Sequence, residues 1–357
     1  VKMAFRLKEN VVEDRLEQAV IQVVDRQEVL RTKIFNDYQV VDDDHLVVTH
    51  DDINRTSYFA HAFELENEIP IKVNIFNHEF TCLIDHIAFD GWSTSLFLED
   101  IERYYYDQDL PELPYQYKDF AKCQNDFLLS HDKDSQIDYW RKEFNNFQDL
   151  HLPVERQNND QSRAGNDVYL ELDTDFYTKL TQTVKANNMT MHNVLLSAYY
   201  LLLAKICGQQ SISVAIPTVN RNVAGVENLI GLFINQFLIT MKIDDRQSFA
   251  EFVMELNEKI IGAQNNQDIP LPRLLRELGI ELTGNKAYFG IQGFKGEALE
   301  HSKLFMPIKE MNQQAIKDAF SDLTIFVWGQ TIDFNYAKTL FKEESVKRFA
   351  ESYRAIL

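Results

Sequence analysis

Cysteine is scarce in this chain of 357 residues: Cys82, Cys123 and Cys207 are the three present, and they lie far apart. No Cys-x-x-Cys pair and no histidine at zinc-ligand spacing accompanies them, so neither a disulfide framework nor a metal site is expected. Long hydrophobic runs are also missing. The most apolar stretch, Val194 to Cys207, is too short to span a membrane and carries Ser197 and Lys205. It reads as a buried helix, and no membrane partner is expected. The opening residues, Val-Lys-Met-Ala-Phe-Arg, lack the pattern of a secretory or transit segment, which points to a cytoplasmic location or an internal piece of a larger protein. Basic residues are outnumbered, 36 Lys and Arg against 55 Asp and Glu, leaving a formal net charge of -19. With no Lys/Arg cluster to offset it, nucleic acid is a poor partner, and an acidic partner would need a local basic patch.

What is present is enough apolar residue, 45%, for one large core or two ordinary ones. Two lobes are expected. Between Glu13 and Gln27, Leu16, Ala19, Val20, Val23 and Val24 recur at helical spacing. Ile71, Val73 and Ile75 alternate as in a strand, Asn77 and His78 suggest a turn, and Phe80 to Ile84 reads as the paired strand. Ser93 can cap a helix in which Phe97, Ile101, Tyr104 and Tyr105 share a face, which leaves 85–92 as a strand-to-helix loop. The polar stretch from Leu150 to Asp167, with Pro153 and Gly165, marks the crossover between lobes, placed at 155/156. The second half restarts with helices around Phe176 to Lys185 and up to Gly208. Strands follow at Ser211 to Ile216, Gln236 to Ile243 and Leu323 to Trp328, and a final helix at Glu343 to Leu357. No sequence repeat relates the halves.

The loop reads Asp85-His86-Ile87-Ala88-Phe89-Asp90-Gly91-Trp92-Ser93. A histidine at a strand end can approach a reacting amine, hydroxyl or thiol, and an aspartate on the same tight loop can pair with a distant arginine. Gly91 leaves its backbone N–H clear to meet a developing oxyanion. Alone, His-x-x-x-Asp-Gly is equally the mark of a buried histidine bonded in a turn.

The motif does not stand alone. Arg26-Gln27-Glu28-Val29-Leu30-Arg31-Thr32-Lys33-Ile34-Phe35, Gln116-Tyr117-Lys118-Asp119-Phe120-Ala121, Tyr139-Trp140, Pro217-Thr218-Val219-Asn220-Arg221, Ile230-Gly231-Leu232-Phe233-Ile234-Asn235 and Gln267-Asp268-Ile269-Pro270 occur in order along the chain. With the loop, they resemble the signature blocks of nonribosomal peptide synthetase condensation domains, over nearly the whole chain. Departures are Gln27 in place of His, one extra residue before Phe35, and Asp85 where the family's double-His motif has its first His. The family's first block is absent, as from an N-terminally truncated domain, and its Arg-Asp-x-Ser-Arg block is not recognisable between Ala287 and Met306.

The resemblance implies an α/β (α+β) fold of two chloramphenicol acetyltransferase-like lobes, 1–155 and 156–357, forming a V-shaped pseudo-dimer with a tunnel between them. It implies an acyltransferase that joins a donor acyl or peptidyl thioester to an acceptor aminoacyl thioester. Both substrates are held on 4'-phosphopantetheine arms of carrier domains, with an adenylation domain adjacent in cis and no tightly bound cofactor. His86 would orient the acceptor amine or take its proton, a role that needs a neutral imidazole, so the rate falls in acid. Gly91 is the candidate oxyanion donor, with a plain tight-turn role as its alternative. Asp90 is expected to be structural and paired with Arg31, because a buried carboxylate needs a partner. Trp92, Ser93 and Asn235 are placed along the tunnel, and Tyr104 to Tyr106 either line it or belong to the core. Asp85 is a solvated strand-end charge, a partner that shapes the loop, or a second polar group of the site. The remaining histidines have no motif context.

Asp85, Asp90 and Ser93 also satisfy the Asp-x-x-x-x-Asp-x-x-Ser pattern of heterocyclisation domains, although those usually lack the His and Gly kept here at 86 and 91. Other readings are a coenzyme A-dependent acyltransferase, whose plant-type Asp-Phe-Gly-Trp-Gly signature is missing, an epimerisation domain, and a degenerate domain that binds carriers without catalysis.

Overall fold

A computed structural model describes residues 1–43, 45–155, 164–283, 286–291, 301–308 and 318–357. In chain order the first elements are β1 (Lys2–Leu7), α1 (Glu13–Arg26), β2 (Thr32–Ile34), β3 (Gln39–Val41), β4 (Val48–Thr49) and α2 (Arg55–Phe59). β5 (Ile71–Phe76), β6 (Glu79–Ile84), α3 (Gly91–Tyr105), α4 (Tyr117–Leu129), α5 (Asp134–Glu143), β7 (Gly165–Glu171), α6 (Thr174–Ala186) and α7 (Met191–Cys207) come next. β8 (Ser211–Thr218), β9 (Asn235–Lys242), α8 (Phe249–Gln264), α9 (Leu271–Leu278), β10 (Ala287–Ile291) and β11 (Phe305–Pro307) follow, then β12 (Leu323–Trp328), β13 (Thr331–Ala337) and α10 (Glu343–Ile356).

These elements form two compact units. The first comprises Val1–Asp126, Val219–Ile234 and, among later residues, the described stretch 301–308. The second takes the rest of the described chain. The boundary expected at 155/156 is therefore displaced: the chain changes core at Phe127, and Ile137 and Trp140 of α5 are buried with the second unit's core. The chain also returns to the first unit over Val219–Ile234, which a single cut cannot describe. Residues 156–163 of the polar crossover lie outside the described residues, as do residues 292–300 of the stretch between Ala287 and Met306 in which the late block is not recognisable.

In the first unit a five-stranded sheet runs β11-β1-β6-β5-β4, antiparallel except for β4 against β5. β5 and β6 form the expected hairpin, and Asn77 and His78 at its tip both take positive φ, 51° and 58°. Two such residues in succession give the twist that matches a two-residue hairpin. α1 buries the apolar face read from its spacing, Leu16, Ala19, Val20, Val23 and Val24, against α3. The second unit's sheet is β7-β13-β12-β10-β8-β9, with parallel pairs at β12/β10 and β10/β8. α7 is its central buried helix, capped by Thr190 and ended at Gly208 with φ 65°. Its Tyr199 and Tyr200 hydroxyls donate to the carbonyls of Leu323 and Ile239 at 2.8 and 2.7 Å, so burying them leaves no polar group unpaired.

Candidate functional site

β6 ends in the core at Ile84, and the chain leaves it through one 3-10 turn, His86–Ala88, before α3 begins. Asp85 caps that turn: its carboxylate accepts from the Ile87 N–H at 2.9 Å, and its own N–H donates to the Pro70 carbonyl at 2.8 Å. Ala88 and Phe89 are fully buried, and Phe89 packs edge-on against Phe97 of α3. The turn is thus pinned on both sides. Between the pins, the His86 side chain is exposed and has no hydrogen-bond partner among the described residues.

Asp90 is the N-cap of α3, the place assigned from sequence to Ser93. One of its oxygens accepts from the Ser93 N–H at 2.8 Å and from the Ser93 hydroxyl at 2.7 Å, and the other accepts from the Phe233 N–H at 3.1 Å. Its ionic partner is Arg221, not Arg31. The Arg221 Nη2 lies 3.4 Å from the carboxylate, with side-chain exposures of 4% and 2% for the pair. Arg31 instead donates to the Asp42 and Asp25 carbonyls at 2.7 and 3.3 Å and faces the Asp25 carboxylate. A buried carboxylate does need a cation, but the guanidinium that reaches it comes from Val219–Ile234.

Arg221 is itself held rigidly. Its Nη1 donates to the Val226 and Leu229 carbonyls at 2.8 and 2.7 Å, and its guanidinium carbon lies 3.9 Å from the centre of the Phe233 ring. Burial pushes its pKa below the ordinary value, and the neighbouring Asp90 opposes that. The same backbone strip is gripped from two further sides. The Gln27 amide donates to the Asn228 carbonyl and accepts from the Ile230 N–H, both at 3.0 Å. The Tyr117 hydroxyl donates to the Leu232 carbonyl at 2.8 Å. Burial raises the Tyr117 phenol to about 12, so it stays a donor. Gly231 is obligatory, because any Cβ there would collide with the Tyr117 ring.

Ser93 is fully buried in this network, exchanging hydrogen bonds with Gly231, and so does not line a passage. Asn235 belongs to the second unit, where its amide donates to the Gln267 and Ile269 carbonyls and accepts from the Gln236 and Leu271 N–H groups. It secures the start of α9, and its hydrogen bonds are spent there. Trp92 is 36% exposed, with Nε1 directed to the Glu227 carbonyl at 3.4 Å. Tyr105 is core, its hydroxyl accepting from the Val12 N–H, while Tyr106 is exposed. A Cβ built at Gly91 meets nothing within 4 Å, so packing does not demand glycine there.

Arg221, Gln27, Tyr117 and Gly231 were in view as members of sequence blocks, but their mutual contacts were not legible. Gln27 meets Asn228 across 201 positions, Tyr117 meets Leu232 across 115 and Arg221 meets Asp90 across 131. Among the described residues no group of three or more His, Cys, Asp or Glu could hold a metal ion, and no helix is long and apolar enough to cross a membrane.

A condensation-domain family model matches residues 1–357. Bacitracin synthase 3 of Bacillus licheniformis is 28% identical over 372 aligned residues, covering 94% of this chain and 6% of that protein, so the chain spans a small part of such a relative. The X-domain from teicoplanin biosynthesis superposes with a TM-score of 0.85 at 20% identity, covering all of this chain and 89% of that one. The epimerization domain from the third module of tyrocidine synthetase B gives 0.79 at 17%, covering 99% and 91%. At such identities the two structures speak for the fold alone. With His86 exposed on its turn, Asp90 and Arg221 paired in the interior, and a family match that runs from the first residue to the last, this chain is a member of the condensation-domain family of nonribosomal peptide synthetases.

Proposed function

We propose that the chain forms an amide bond between two carrier-bound thioesters, with His86 at the reacting amine. The observation that carries this reading is the presentation of His86: exposed, unpaired among the described residues, and set on a turn anchored by Asp85 and Phe89. The acceptor nitrogen attacks the donor thioester carbonyl. The C–N bond forms, the C–S bond breaks, the thiol leaves on the donor's phosphopantetheine arm, and the nitrogen loses a proton. His86 orients that amine and receives the proton, and holding the two reactants together supplies much of the rate. Gly91 opens α3, where the first N–H groups lack helical partners, and its open surroundings suit an approaching oxyanion. Trp92 stands beside it as a wall for substrate.

The partners in this reading are a donor and an acceptor carrier domain and an adenylation domain in cis, in the cytoplasm, with no resident cofactor. Asp85 favours amide formation over cyclisation, since its carboxylate is engaged in capping the turn that carries His86. The test is reconstitution with loaded donor and acceptor carriers, reading products by intact mass for wild type and His86→Ala. A linear amide lost in the variant is expected. A ring-closed product lighter by one water indicates heterocyclisation, and carrier binding without product in either protein indicates a degenerate domain. Acyl transfer from free coenzyme A indicates the free-standing acyltransferase.

A further inference from the structure

A second candidate site lies wholly within the second unit, on the sheet face formed by β8, β9 and β10. It is a cavity of about 150 Å³, a size at which an apolar cavity takes up a benzene-sized molecule. Leu150, Leu238, Leu271, Leu282 and Phe320 supply most of its apolar wall. The polar side chains in the lining divide into those with partners and those without. Ser213 is bonded to Thr240 at 2.8 Å, and Ser321 to the Leu323 carbonyl and to Thr324. Asp149 accepts from the Leu150 N–H and from both the N–H and hydroxyl of Thr283.

The Tyr288 hydroxyl, the Gln236 amide and the Lys286 ammonium have no hydrogen-bond partner among the described residues. Tyr288 is the telling one. It is only 6% exposed, and its ring is held by Phe320 and Phe326 at centroid distances of 4.3 and 5.8 Å. A tyrosine hydroxyl at a cavity wall with no protein partner among the described residues is available to donate to an acceptor that enters. All three free groups can donate, and one of them is a cation. The acid in the lining, Asp149, already accepts three hydrogen bonds. Asp322 lies close enough to interact with Lys286 electrostatically and is the charge with which a ligand would compete.

We infer that this cavity binds a small apolar carboxylic acid of benzoate or hexanoate size, its hydrocarbon part against the leucines and its carboxylate received by Tyr288, Gln236 and Lys286. The inference does not rest on the amide-forming reading, since no carrier or acyl transfer enters it. The test is calorimetric titration of the whole chain with benzoate and hexanoate, and with toluene and benzylamine as the neutral and cationic counterparts. Both acids are expected to bind, and Tyr288→Phe to weaken them about fivefold, the value of one hydrogen bond. Lys286→Met is expected to weaken them about tenfold. Thermal midpoints of the free variants show that each still folds. No heat from either acid at 10 mM (about the weak limit for a ligand this small) overturns the assignment. So does toluene or benzylamine binding as tightly as benzoate, or binding that neither substitution moves.

Discussion

Asp90 and Arg221 are 131 positions apart in sequence and form a buried ion pair at 3.4 Å, with the Phe233 ring against the guanidinium. Removing one member strands the other charge. Asp90→Ala and Arg221→Ala are each expected to cost about 3–5 kcal/mol, seen as a lower urea midpoint with unchanged slope. Arg221→Lys should not restore it, because one ammonium cannot reach two carbonyls, a carboxylate and a ring face together. Arg31→Ala should lose far less, and a double-mutant cycle should couple Asp90 to Arg221 and not to Arg31.

Gln27 closes both ends of its amide on one strip of backbone, Asn228 and Ile230. Gln27→Ala leaves a buried N–H and a buried carbonyl unpaired, an expected loss of about 2–3 kcal/mol. Gln27→Glu keeps the acceptor for Ile230 and, once ionised, loses the donor to Asn228 and strands a buried charge, so its loss should be intermediate near pH 5 and larger at pH 8, by equilibrium unfolding at both.

Gly231 and Tyr117 fit as backbone and ring. Gly231→Ala should destabilise by about 1–3 kcal/mol through overpacking, whereas Tyr117→Phe, which keeps the ring and loses only the bond to Leu232, should cost about 1 kcal/mol. Equal losses in the two variants would contradict the collision.

His192 is lowered by burial, with its bond to Asn193 opposing, and it packs edge-on against Phe289. A histidine depressed in the folded state contributes stability that is present above the unfolded value, about 6.5, and lost as pH falls through the folded one. His50, raised chiefly by its bond to the Ile75 carbonyl, works in the opposite sense. His192→Gln is therefore expected to lose less stability than wild type between pH 7 and 5, by thermal melts at each pH.

The His86 side chain has no hydrogen bond to lose among the described residues. His86→Ala should leave the thermal midpoint within about 0.5 kcal/mol of wild type while lowering product formation by about 10²–10⁴. A matching loss of stability would identify the ring as structural.

Local pattern made several elements legible. The face of α1, the β5/β6 hairpin with its turn at Asn77 and His78, and the buried helix α7 all follow from spacing and from residues that favour the required backbone. β1 and β13 were not anticipated. Lys2–Leu7 buries Met3, Ala4 and Phe5 in succession, so β1 shows no clean alternation, whereas in β13 Ile332, Phe334 and Tyr336 do alternate with Asp333 and Asn335, a legible signal, although both polar residues are buried as well.

The sequence by itself singled out the loop proposed to carry the chemistry, since a histidine between an apolar strand and a helix start is a local arrangement of consecutive residues. Only the tertiary structure decided what holds that loop. It chose Arg221 over Arg31, made Asp90 rather than Ser93 the helix cap, buried Ser93, and engaged Asn235 within its own unit. The reason is physical: a buried charge takes whichever opposite charge the fold brings within reach, and that choice is made by chain segments whose separation in sequence says nothing about their distance in space.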